Sequence, residues 1–263
     1  MEKIKVAIAG SGGRMGKVLL ECVAQADDLV LHAALENAGS PLLCNVVADG
    51  VKITADMETA LKGADVLIDF TRPEGTLRHL EVCRKLGVNM VIGTTGFSAA
   101  DVEEIRKLVE TNEIGAVMAS NFAIGAIVMM HLAKVAARYF DYAEIIEFHH
   151  NMKMDAPSGT ALSTAKSMAQ ARGKPFNRPP VEKGEALKSR GEQTEGISIH
   201  SVRLPGLLAH QEVIMGAAGQ TLTIRHDTID RDCFMPGVIL AIKAVVKRPG
   251  LTVGLAPILG LEG

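Results

Sequence analysis

The run Ile4-Lys-Val-Ala-Ile-Ala9 stops at Gly10-Ser-Gly-Gly-Arg-Met-Gly16, after which Val18, Leu19, Leu20, Cys22 and Val23 recur at helical spacing. Strand, glycine turn and helix in that order leave the chain few options: the apolar strand is buried, and the glycines let the helix start close against it. A second strand over 29–35 ends at Glu36 and completes a βαβ unit. Further strands are predicted at 66–70, 89–92 and 115–118, each separated by a helical pattern. Such alternation makes an α/β protein with an N-terminal Rossmann-like, doubly wound parallel sheet. A parallel sheet is covered on both faces, so its core is compact and aliphatic. The chain supplies that core, with 48% hydrophobic residues, 3% aromatic residues and no Trp.

At 263 residues the chain has the size at which one core tends to divide in two. After Asn121-Phe122 the pattern changes to an apolar helix over 124–137 and a strand over 143–149. Strands at 197–203, 212–215 and 221–225 have the spacing of antiparallel neighbours, which predicts a smaller α+β domain with an open mixed sheet. The polar segment 179–196 reads as a loop or a lid. The expected division is a dinucleotide-binding domain, 1–122 completed by 232–263 and a last helix at 236–246, around a substrate domain, 123–231.

A formal net charge of −2 and the lack of a polybasic arm argue against nucleic acid as a partner. Cys22, Cys44, Cys83 and Cys233 form no C-x-x-C pair, so neither a zinc ribbon nor a disulfide framework is expected and a reducing cytoplasm fits. No signal peptide or membrane-spanning run is read from the sequence, so no membrane partner is expected. H-E-x-x-H is absent, and the adjacent strand residues His149 and His150 face opposite ways, so no metal is expected.

The glycine cluster reads G-x-x-G-x-x-G, since Met15 stands where G-x-G-x-x-G would end. Between a strand and a helix, glycines permit a pyrophosphate to approach the backbone, and its charge meets the helix N-terminus. Gly10, Ser11, Gly12, Gly13, Arg14 and Met15 are therefore candidate cofactor residues. Glu36 is placed to accept hydrogen bonds from ribose hydroxyls. Asn37 beside it is uncharged, and Arg14 is a candidate for a 2′-phosphate, so NADH and NADPH both stay open. Thr71, Gly93-Thr94-Thr95 and Ala119-Ser120-Asn121-Phe122 follow other strand ends, where ligands of open α/β sheets bind. Small residues there admit a flat nicotinamide, with Asn121 a candidate for its carboxamide. Taken singly, each of these turns is equally explained by packing.

The segment Glu147-Phe-His-His-Asn-Met-Lys153-Met-Asp-Ala-Pro-Ser-Gly-Thr160 sets His149, His150 and Lys153 just before a helix start. An extended 149–153 would put His149 and Lys153 on one face, so that two proton donors look into one cleft. Pro157-Ser-Gly-Thr160 offers hydroxyls and backbone N–H groups at a helix N-terminus, where a carboxylate or phosphate is held favourably. The segment predicts a catalytic pocket for a small acidic substrate.

Together with Asp69-Phe-Thr-Arg-Pro73, Val91-Ile-Gly-Thr-Thr-Gly96 and Ser120-Asn-Phe122, these motifs resemble the 4-hydroxy-tetrahydrodipicolinate (dihydrodipicolinate) reductase family of the diaminopimelate route to lysine. The likeness covers essentially the whole chain. It implies NAD(P)H-dependent reduction of a cyclic dicarboxylate with loss of water, and a homotetramer built through the second domain's sheet. It implies His149 as proton donor or acceptor and Lys153 as second donor, with His150, Gly159 and Thr160 binding substrate and Ser158 beside them. It adds Arg231 near the cofactor. The family often has Arg where this chain has Asn37. Two other readings compete. A semialdehyde or homoserine dehydrogenase shares the layout, but thioester-forming members need a pocket cysteine, and none lies in 149–160 or the strand-end loops. A dinucleotide-sensing regulator needs no pair of proton donors beside an anion cradle.

Overall fold

The computed structural model describes residues 2–180 and 189–261. The chain divides into two compact units, Met1–Phe122 with Arg231–Gly263, and Ala123–Asp230. In the first, β1 (Ile4–Ala9), α1 (Arg14–Gln25), β2 (Leu29–Leu35), β3 (Ile53–Thr54) and α2 (Met57–Ala60) precede β4 (Val66–Asp69) and α3 (Pro73–Leu86). β5 (Asn89–Ile92), α4 (Ala99–Thr111) and β6 (Gly115–Met118) follow. All seven strands of this sheet are parallel, in the order β12-β6-β5-β4-β1-β2-β3, where β12 is Gly250–Val253. The order reverses between β1 and β4, which opens a crevice beyond their carboxyl ends.

β4 and β6 are buried along their length and β5 in all but its first residue, as a sheet covered on both faces requires. Ala7, Ala9, Leu67, Met90 and Ile92 form a core with Leu80 and Cys83 of α3 and Ile105 and Val109 of α4. The alternate residues Val6, Ile8, Ile68 and Val91 point to the other face and are fully buried too. After the second unit the chain returns as α7 (Met235–Val245), which packs on β5, β6 and α1. A short α8 (Ala256–Leu259) closes the unit.

The second unit holds α5 (Ile124–Ala136), β7 (Tyr142–His149), α6 (Gly159–Arg172), β8 (Glu192–Thr194), β9 (Ile197–Arg203), β10 (Ala209–Ala217) and β11 (Gln220–Thr228). Its sheet runs β11-β10-β7-β9-β8; β7 and β9 are parallel and the other pairs antiparallel, so it is mixed. Met129 and Ala133 of α5 and Ala161, Ala165 and Met168 of α6 form a core with Ile145, Ile199, Val213 and Met215.

Several sequence expectations need correction. Of the expected loop 179–196, residues 181–188 lie outside the described residues, and 192–194 are the strand β8. Its three polar residues carry no apolar alternation; pairing with β9 and a 2.7 Å hydrogen bond from Gln193 Nε2 to Ser198 Oγ hold it in place. The edge strands β3 and β12 were not anticipated, because two and four residues joined by tertiary pairing leave little periodic signal. β10 and β11 run longer than expected, joined by a tight turn with Gly219 at φ 74°. Arg231 falls in the first unit, not at the end of the second.

Candidate active site

In the first unit the glycine turn is folded onto the end of β2. The amides of Gly10 and Ser11 both donate to the Leu35 carbonyl, at 2.9 and 3.1 Å, with Gly10 at φ 70°. That brings Glu36 to the turn, where its Oε1 accepts from the Gly12 amide at 2.8 Å. A Cβ at Gly16 would stand 2.2 Å from the Gly10 carbonyl oxygen, so only glycine lets α1 begin this close. Gly13 caps α1 without a side chain, and the first turn of α1 holds no acidic residue. The amides there suit an anion. Arg14 and Gly13 are exposed, Met15 is half-buried, and Ser11 is buried with its hydroxyl on Leu35 O at 3.3 Å.

Beside the turn lies a cleft of about 1010 Å³ bordered by Gly10, Glu36, Asn37, Thr71, Arg72, Arg78 and His79. Thr71 is fixed by Asp69, whose Oδ1 accepts from the Thr71 amide at 2.9 Å and from its hydroxyl at 2.6 Å. Asp69 Oδ2 lies 2.6 Å from His79 Nδ1, and the buried Thr94 hydroxyl donates to Oδ1 at 3.3 Å. Burial opposes ionisation of Asp69, but His79 and Thr71 together hold its carboxyl below the ordinary value. A Cβ at Gly93 would meet the Phe70 ring at 2.1 Å, and that ring lies 5.5 Å from Phe122. The strand-end loops are thus interlocked. Thr95 and Ser120 are exposed and Asn121 half-buried, whereas Ala119 and Phe122 are buried and build the wall. Arg231 is half-buried in the turn before α7. Glycines where a Cβ would clash, a carboxylate at the end of β2 and a cleft at the strand reversal fit a dinucleotide.

The second unit gathers its polar groups at the end of β7. Glu147 and His149 share a strand face, and the fully buried Glu147 carboxylate meets His149 Nδ1 at 2.5 Å. Arg203, from the parallel neighbour β9, grips the same carboxylate with Nη1 on Oε2 at 2.8 Å and Nη2 on Oε1 at 2.7 Å. Burial works against the charge, but hydrogen bonds from His149, Arg203 and Ser201 pull the Glu147 carboxyl down to about 2. Ser158 caps α6, its hydroxyl accepting from Ala161 N at 3.2 Å, while its own amide donates to Glu147 Oε1 at 3.2 Å. Both polar groups of Ser158 are therefore committed. Gly159 is exposed with open space about it, and Thr160 is half-buried, so their amides remain presented at the helix start.

The expected extended run through Lys153 is not found. Residues 150–153 form a turn in which the Lys153 amide donates to His150 O at 3.1 Å. Strand alternation therefore does not place Lys153 beside His149; instead its Nζ pairs with Asp155 at 2.7 Å. His150 is half-buried at the start of this turn. Sequence reasoning also passed over Glu147, Arg203, Asp69 and His79. Two signals were available: Glu147 stands two residues before His149 on one strand face, and Asp69 ends an otherwise apolar strand. Among the described residues no cluster of three or more His, Cys, Asp or Glu is arranged to hold a metal.

Comparison with known proteins agrees across both units. The family model "Dihydrodipicolinate reductase, N-terminus" matches residues 4–122, and "Dihydrodipicolinate reductase, C-terminus" matches 125–259. The chain is 48% identical to the 4-hydroxy-tetrahydrodipicolinate reductase of Dehalococcoides mccartyi, covering 99% of this chain and 100% of that protein. It is 46% identical to that of Geobacillus kaustophilus, covering 97% and 99%. A solved, dipicolinate-bound dihydrodipicolinate reductase from a Paenisporosarcina species superimposes with a TM-score of 0.86 at 39% identity, over 97% of this chain and 99% of that one. More distant, at 14% identity and a TM-score of 0.62, an amine dehydrogenase from Mycobacterium smegmatis shares the fold alone. Matched in both halves and along its full length, the chain belongs to the dihydrodipicolinate reductase family, oxidoreductases of the diaminopimelate route to lysine.

Proposed function

We propose that this chain converts 4-hydroxy-tetrahydrodipicolinate to tetrahydrodipicolinate, with loss of water, using His149 and Lys153 as its proton-handling groups. The observation that carries the reading is the Glu147–His149 pair at 2.5 Å beside the open amides of Gly159 and Thr160. A proton donor and an anion cradle then stand at the end of one strand. A bound nicotinamide cofactor supplies the hydride. The first turn of α1 meets its pyrophosphate, Glu36 accepts from its ribose hydroxyls, and Thr71, Gly93, Thr94, Thr95 and 119–122 line its path.

His149 Nδ1 is occupied by Glu147, so Nε2 is the atom that gives or takes the balancing proton. Lys153 exchanges Asp155 for a substrate carboxylate and serves as a second proton donor; His150 adds positive charge to that end of the ring. The amides of Gly159 and Thr160 hold the other carboxylate. NADH and NADPH are both candidates: Asn37 supplies no cation for a 2′-phosphate beside Glu36, whereas Arg72 and Arg78 border the same cleft. The family likeness further supports a cytoplasmic homotetramer. Among the described residues no helix is long and apolar enough to cross a membrane.

The test is a coupled assay in which the preceding synthase makes substrate from pyruvate and aspartate semialdehyde, with NADH and NADPH supplied separately. Substrate-dependent loss of absorbance from at least one of the two cofactors is expected. Consumption of neither cofactor would overturn the reading.

A further inference from the structure

A carboxylate with no exposed surface is rare unless it is fully paired, because ionised groups lose several kcal/mol of hydration on burial. Glu147 has zero exposure, and both of its oxygens are engaged by groups that the proposed chemistry needs. Oε2 meets His149 Nδ1, Oε1 accepts from the Ser158 amide, and Arg203 bridges both oxygens. Arg203 reaches further: Nη2 also donates to Asp155 O at 2.8 Å, and so ties down the turn that carries Lys153. A buried Glu147 and a half-buried Arg203 thereby join the strand end, the turn and the helix start.

Resting on the function just proposed, we propose that Glu147 and Arg203 are positioning residues of the reaction: Glu147 fixes the ring of His149 and the start of α6, and Arg203 fixes the Lys153 turn. An ionised carboxylate only accepts, so a neutral His149 keeps its proton on Nδ1 and aims the Nε2 lone pair outward. When the ring is charged, Nε2–H is the donor. Ser158 is anchored to the same oxygen pair while capping α6, which sets the Gly159 and Thr160 amides in a constant relation to Nε2. The charged groups about His149 are Glu147 and His150 on its own segment, Arg203 on β9, and Lys153 and Asp155 on the turn. β10 places Ala209 opposite it, and α6 begins with uncharged residues.

Glu147→Gln keeps the shape of the side chain and removes its charge. With folding checked by circular dichroism, its kcat is expected to fall, because part of the neutral His149 population then carries its proton on Nε2 and cannot accept one there. The KM for NADH stays unchanged. Arg203→Lys retains the Glu147–His149 pair and loses the two-point grip. It should leave the His149 tautomer unchanged and raise the substrate KM, a lysine being unable to replace a bidentate guanidinium. ¹⁵N NMR of labelled histidine, with His149 assigned by its absence in His149→Gln, reads the tautomer without turnover; wild type should show Nδ1–H and Glu147→Gln a mixture. If Glu147→Gln matches wild type in both kcat and tautomer, its positioning role is overturned. If Glu147→Gln does not fold, an Arg203→Lys enzyme with wild-type substrate KM overturns the Arg203 half, while an Nδ1 in wild type that carries no proton overturns the Glu147 half. A wild type that consumes no cofactor overturns the functional reading instead, and the NMR result still reports the geometry.

Discussion

His149 and Lys153 act differently because their neighbours differ. His149 is backed by a buried carboxylate, so its replacement would remove the proposed proton donor and leave the proposed cofactor residues intact. His149→Gln should lower kcat about 10² to 10⁴-fold with little change in the KM for NADH, a range typical of general acid–base catalysis. A variant with wild-type kcat would remove His149 from the chemistry. Lys153 is held by the more exposed Asp155, a partner that a substrate carboxylate can replace. Lys153→Ala should therefore raise the substrate KM as well as lower kcat, the KM effect being roughly ten- to a hundredfold for a charge-assisted hydrogen bond worth ~1.5–3 kcal/mol. Steady-state kinetics over substrate concentration separates the two. Both residues stand out in the sequence as proton-handling candidates by side-chain chemistry, whereas the turn that carries Lys153 does not. Glu147 was less legible: a glutamate in a strand usually faces solvent, and what reverses that here is Arg203, more than fifty residues away in sequence and beside His149 only through strand pairing.

Elements defined by strong periodicity were legible, and those defined by pairing were not. β1, β4, β5 and β6 are mostly apolar, with Lys5, Asp69 and Asn89 the polar exceptions, so their positions follow from composition. β8 has no apolar residue and exists because β9 offers an edge. The turn at 150–153 defeated strand alternation for a related reason: a local hydrogen bond from Lys153 N to His150 O competes with extension once β7 loses its neighbours. The glycine turn is the element whose geometry is least negotiable. In Gly16→Ala the new methyl would stand 2.2 Å from the Gly10 carbonyl, forcing α1 away from β1. Thermal unfolding should show a loss of about 1–3 kcal/mol, the usual cost of overpacking. The KM for NADH should rise while the folded protein's substrate KM does not. An unaltered KM for NADH would mean that the turn does not hold the cofactor.

For the whole molecule, division of labour is the central claim: the first unit holds a hydride donor, the second holds an acidic ring and its proton. The doubly wound topology was readable because each crossover leaves a helix between two apolar strands. The choice between NADH and NADPH was not, since Asn37 withholds the expected cation while Arg72 and Arg78 of the same cleft lie far along the sequence. The most direct measurement supplies NADH carrying deuterium at both C4 positions, generates substrate with the synthase, and weighs the product by mass spectrometry. One deuterium per tetrahydrodipicolinate formed, matched to cofactor consumed, is the expected result. Product without deuterium, or cofactor that is not consumed, would contradict hydride transfer and the account built on it.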